Sequence, residues 1–88
     1  MKKIRVKENR IWKYRITKGL KQCELAFLIG HATPTQVSRY ERGLVMPECE
    51  QLIKLSQALD VDIDVLYPQF VEKWREEVEE RKKAIKSQ

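Results

Sequence analysis

The chain has only three glycines, at positions 19, 30 and 43. Each closes a short stretch of apolar residues at helical spacing, so the first half of the chain is cut into helices too brief to stand alone. Residues 8–17 read as a first helix, with Ile11 and Tyr14 inward and Gly19 as its stop. Residues 21–29 read as a second, whose apolar surface is Leu25, Ala26, Leu28 and Ile29, ended by Gly30. A third runs over 34–41, with Thr33 as cap, Pro34 at the first helical position and Gly43 as stop. Pro47 opens a fourth, to residue 59, carrying Leu52, Leu55 and Leu59, and residues 63–67 form a last short turn of helix before Pro68. No stretch alternates like a central strand. The expected fold is all-α: a compact bundle of about five short helices, followed by a C-terminal amphipathic helix.

Chain length sets the scale of this bundle. Eighty-eight residues permit one small domain with an economical core. A hydrophobic content of 42% against 35% charged residues excludes a disordered chain. Two cysteines make no disulfide framework, so a reducing compartment is expected. The longest apolar run, residues 25–29, is too short for a membrane span or a signal peptide. A cytoplasmic protein is therefore expected.

Charge is unevenly placed. Residues 1–44 hold eleven Lys/Arg and three Asp/Glu, a net of +8, whereas residues 45–67 hold one Lys and five acids, a net of −4. A basic half joined to an acidic middle suits a molecule with one surface for polyanions. Residues 68–88 are near neutral and different in kind. Val71, Trp74, Val78, Arg81 and Ile85 fall on a seven-residue a/d repeat beside Phe70, with Glu, Lys and Arg elsewhere. The mixed signs of its polar face argue against a membrane-surface helix. Three units follow: a basic arm or short strand at 1–7, a helical domain at 8–67, and the C-terminal helix at 68–88.

Two short helices joined by a tight connection, the second polar on its outer face, make a helix-turn-helix pattern. The residues resemble the Cro/lambdoid-repressor (xenobiotic-response-element-like) helix-turn-helix family. They are Arg15, Gly19-Leu20-Lys21-Gln22, Leu25-Ala26, Gly30, Val37-Ser38-Arg39-Tyr40-Glu41-Arg42-Gly43, then Pro47, Leu52, Leu55, Ala58-Leu59 and Val61. The resemblance covers residues 9–67. One departure stands in the turn: seven residues separate Gly30 from Ser38, where the family pattern has six.

The residues carry physical expectations of their own. Ala26 must be small where helices cross closely, facing Leu25 and Val37. Arg15 and Glu41 are expected to form a buried pair tying the first helix to the end of the third. Thr33, Thr35, Gln36 and Arg39 are the expected base-reading side chains, with Arg39 suited to guanine and Gln36 to adenine. Lys21 and Gln22 at the start of the second helix, and Arg42 after the third, are the phosphate candidates. Phe70, Val71, Trp74, Val78 and Ile85 are candidate dimer contacts, with packing back on the domain as the alternative.

Other chemistry is excluded on residue grounds. The single histidine, His31, has no cysteine at metal-ligand spacing, so no metal or other cofactor is expected. The resemblance has an aliphatic residue where Cys49 stands, which implies a half-buried packing role, and Cys23 is expected to be an incidental surface thiol. No nucleophile set, phosphate loop or paired carboxylates accompany Glu41, so the chain is read as no enzyme. The leading function is a transcriptional repressor binding double-stranded DNA at a palindromic operator as a homodimer, with no small-molecule ligand evident. The alternatives are an antitoxin that also binds a toxin protein, and a protein-interaction module that has lost DNA binding.

Overall fold

A computed structural model of the chain describes residues 8–87, so the arm expected at residues 1–7 lies outside the described residues. Among the described residues six helices follow in order: α1 Ile11–Thr17, α2 Gln22–Leu28, α3 Thr35–Glu41, α4 Cys49–Leu59, α5 Ile63–Leu66 and α6 Pro68–Lys86. Among the described residues there is no strand, as the helical periodicity implies. The first five helices enclose one core. Ile11, Leu25, Ile29, Val37, Leu55 and Leu59 are wholly buried, with Leu66 and Tyr67 closing the C-terminal side.

Helix starts differ from the sequence reading, each for a local reason. The first begins at Ile11, not residue 8, because Asn9 Oδ1 accepts the Ile11 N–H at 2.9 Å and holds the preceding backbone out of the helix. The Asn9 amide also donates to the Tyr40 carbonyl at 2.7 Å, which pins this entry to the end of α3. In α3, Pro34 is the N-cap, since its carbonyl already accepts the Ser38 N–H at 2.9 Å. Thr33 therefore stands one residue too far out to cap, and its hydroxyl meets that of Thr35 at 3.3 Å. Pro47 is buried ahead of α4, and Glu48 takes the N-cap position.

Two burial expectations are overturned. Leu28 is half exposed, because the inner face of α2 is Leu25, Ala26 and Ile29 and Leu28 lies more than a quarter turn from its centre. Cys49 is exposed rather than half-buried: it starts α4 at the domain's margin, between exposed Glu48 and Glu50. Cys23 is exposed, as expected of a surface thiol.

Helix ends are closed economically. Gly30 takes φ +90°, a region open to glycine, and the next residue's N–H reaches the Ala26 carbonyl at 2.8 Å. The end of α4 has no glycine. Asp60 occupies the left-handed region at φ 56°, which a short polar side chain tolerates, and its carboxylate accepts from Lys18 Nζ at 2.6 Å.

One buried group is left unsatisfied. Tyr67 is 1% exposed, and among the described residues its hydroxyl meets no hydrogen-bond partner. Burial pushes its phenol pKa well up, with Tyr40 nearby adding to the shift. Tyr40 is raised as well, chiefly by burial, although the Gln36 side chain one turn earlier on α3 opposes the shift. Both phenols hold their protons more tightly folded than unfolded. Their contribution to stability is thus complete below about pH 10, their ordinary pKa, and is lost as pH rises through the folded values. Because its hydroxyl has no partner to lose, Tyr67→Phe should leave the melting temperature at pH 7 unchanged or raise it. The same variant should flatten the fall in melting temperature expected of the parent chain between about pH 9.5 and 11. Thermal melts across that range provide the check.

Candidate nucleic-acid interface

The position of α3 is set by polar contacts as much as by its apolar face. Val37 and Tyr40 anchor that face in the core, and Glu41 follows at the helix end. Arg15 on α1 donates from Nε to Glu41 Oε2 and from Nη2 to Oε1, the latter at 3.3 Å. Its Nη1 also donates to the Leu20 carbonyl, in the α1–α2 connection, at 2.8 Å. Gln22 on α2 donates its amide to Glu41 Oε1 at 2.9 Å. One carboxylate thus gathers donors from α1 and α2, and both charged side chains are more than nine-tenths buried. A carboxylate accepting several charge-assisted bonds in a fixed fork tolerates little displacement.

The turn before α3 is held from the other side. His31 Nε2 lies 3.0 Å from Gln51 Oε1 on α4, and Gln51 Nε2 donates to the Ile29 carbonyl at 3.4 Å. With the Gln51 amide donating to a carbonyl, its oxygen is the acceptor, so the imidazole proton sits on Nε2.

On the outer side of this frame stand the predicted DNA contacts. Thr33, Thr35 and Arg39 are exposed, while Gln36 is half-buried with its side chain beside the Tyr40 hydroxyl. Among the described residues Arg39 makes no side-chain hydrogen bond, and its guanidinium is open to a ligand. Arg42 is exposed and folds along its own helix, Nε reaching the Ser38 carbonyl at 3.4 Å. Lys21 is exposed at the start of α2, but its backbone N–H is taken by Glu24 Oε1 at 2.7 Å. Gln22 differs from the others: its side chain points inward to Glu41 and leaves only its backbone amide at the helix start for an anion.

Asn9, Gln22, His31 and Gln51 carry structural roles that sequence reasoning did not assign. Their partners lie 19 to 31 residues away, and no local pattern announces such contacts. The candidate dimer residues are split. Phe70 and Val71 are half-buried on the domain, whereas Trp74, Val78 and Ile85 are exposed along α6. No three His, Cys, Asp or Glu side chains gather as a metal site among the described residues. Nor is any described helix long and apolar enough to cross a membrane.

Comparisons with known proteins agree with this geometry. A family model described as helix-turn-helix matches residues 13–66. A search of curated protein sequences returns no match. Among solved structures, the chain is similar to the crystal structure of the clp gene regulator ClgR from Corynebacterium glutamicum. That match has a TM-score of 0.61 and 22% identity, over 84% of this chain and 78% of the other. At that identity the likeness speaks for the fold.

The buried carboxylate is the point at which the interface can be broken without touching its surface. Glu41→Ala leaves Arg15 buried without its counter-charge and Gln22 without its acceptor, a loss of about 3–5 kcal/mol. We expect a melting temperature more than about 10 °C lower, beyond the effect of any single exposed substitution. A melting curve unchanged by Glu41→Ala would remove the pair from its organising role.

Proposed function

The chain belongs to the helix-turn-helix family and is a DNA-binding regulator of transcription, and on that premise we propose that it represses by occupying a palindromic operator as a homodimer. The carrying observation is the rigid presentation of α3: its inner face and terminal carboxylate are fixed to α1 and α2, while Thr35 and Arg39 stay exposed. An element so held enters the major groove without paying to order itself.

In this reading Arg39 pairs bidentately with a guanine and Gln36 addresses an adenine, with Thr33 and Thr35 at the groove edge. Lys21, Arg42 and the Gln22 backbone amide contact phosphates and set the register. Helices α1–α5 form the DNA-binding unit and α6 the dimer element. Each subunit reads one half-site, with centres about 10–10.5 bp apart or a multiple of that. The reading assigns the chain no catalytic step and implies a cytoplasmic site of action. The structure that it resembles in fold is that of a gene regulator, which supports the regulatory reading. An antitoxin would present the same face to DNA and give α6 to a toxin protein. The self-complementary charges of α6 described below favour a second copy instead.

Selection from a random duplex pool at about 150 mM salt, where nonspecific binding is weakened, should recover an inverted repeat. Failure of well-folded protein to enrich any sequence would overturn the assignment. Within the selected site, Arg39→Ala should cost about 1–3 kcal/mol and relax the sequence requirement at one position per half-site. Lys21→Ala should instead weaken all sequences alike and reduce the salt dependence by about one unit of slope per site.

A further inference from the structure

Helix α6 leaves the domain almost at once. Phe70 leans on Tyr67 with ring centroids 6.3 Å apart, and Trp74 on Phe70 at 5.2 Å. From residue 72 to residue 86 every side chain is exposed, a projection of roughly 22 Å. A solvated helix of this length is marginal by itself. Its ion pairs, Arg75 with Glu72 at 3.0 Å and Lys82 with Glu79 at 3.2 Å, are exposed and stabilise it little. Yet Trp74, Val78 and Ile85 run along one side of it, 47%, 52% and 71% exposed.

We propose that a second copy of this chain covers that stripe as a parallel, in-register, two-stranded coiled coil over residues 71–85. This rests on the homodimeric reading above and adds its direction, which the flanking charges select. With Val71, Val78 and Ile85 at a and Trp74 and Arg81 at d, the e positions are Arg75 and Lys82 and the later g positions are Glu77 and Ala84. Parallel helices bring each g opposite the next e of the other copy, which pairs Glu77 with Lys82 twice by symmetry. Antiparallel helices bring e against e and g against g. Arg75 would then face Arg75 or Lys82, and Glu77 would face itself or Ala84. Opposite charges meet only in the parallel arrangement.

Arg81 explains why the assembly stops at two strands. Its stem covers apolar surface, its guanidinium stays in water, and Glu77 lies one turn before it in the favourable order for a pair. A third strand would bury that charge, and a shifted register would set it against Val78. Parallel pairing holds both DNA-binding units at the same end of the coil, side by side, so that both α3 helices address one duplex.

The test uses the full chain. Lys82→Glu replaces two attractions by two repulsions if the helices are parallel, and sedimentation equilibrium should show the dimer dissociation constant raised about tenfold. The double variant Glu77→Lys/Lys82→Glu should return it to near the parent value, which excludes a mere loss of helix. Ile85→Cys, in a chain also carrying Cys23→Ser and Cys49→Ser, should close a disulfide between the two copies in a glutathione buffer. If Lys82→Glu tightens the dimer and no such disulfide forms, the helices are antiparallel and the proposal falls, while the homodimeric regulator stands. A parent chain that stays monomeric at millimolar concentration overturns both.

Discussion

The rest of the structure depends on burying one carboxylate. Glu41 sits at the end of α3 with donors from Arg15 and Gln22, while Arg15 spends a third donor on the Leu20 carbonyl. Moving two charges out of water is costly, and a buried pair repays that cost only where its geometry is good and its remaining donors and acceptors are met. Here the fork of the guanidinium, the amide and the carbonyl meet those conditions together. The consequence is positional: α1, α2 and α3 can be assembled in one relative arrangement. Apolar packing of Leu25, Ala26 and Val37 alone would tolerate small slides and rotations.

A reader of DNA needs that arrangement more than it needs extra stability. Base edges are distinguished by donors and acceptors placed to within a fraction of an ångström, so the scaffold beneath a recognition helix must not drift. The molecule places its polar groups accordingly. Asn9 and Gln51 donate to backbone carbonyls, His31 and Gln51 bond to each other, and Gln22 donates to Glu41, all inside or beside the core. Arg39 and Thr35 remain outside, at the surface the frame presents.

The C-terminal helix obeys different physics. Its first turn is tied to the domain by Tyr67 and Phe70, and beyond that its partners are its own neighbours one turn away. A bundle of this size has little core surface to spare for covering it. What it carries instead is an apolar stripe too narrow to fold on, flanked by charges that the proposed parallel pairing would match. Dimerisation would thus be an extension of folding, linking stability to concentration.

Read locally, the sequence was sufficient for the elements and their order. Helical spacing of apolar residues, glycines at 19, 30 and 43 and prolines at 34, 47 and 68 mark out the helices, because these signals act over one or two turns of backbone. Arg15 and Glu41 were also legible as a pair, since charges inside apolar periodicity need a partner. The details that failed were those set at a distance. Asn9 is pinned ahead of α1 to the Tyr40 carbonyl, 31 residues on, and the core takes the Leu25, Ala26 and Ile29 face of α2 and leaves Leu28 outward. Gln22 looked like a phosphate ligand until its amide was found on Glu41, 19 residues on. Composition and period therefore determine which faces are apolar and which segments are helical. Only the tertiary structure decides where each polar side chain points, because a buried donor takes whichever acceptor the packed chain brings within reach.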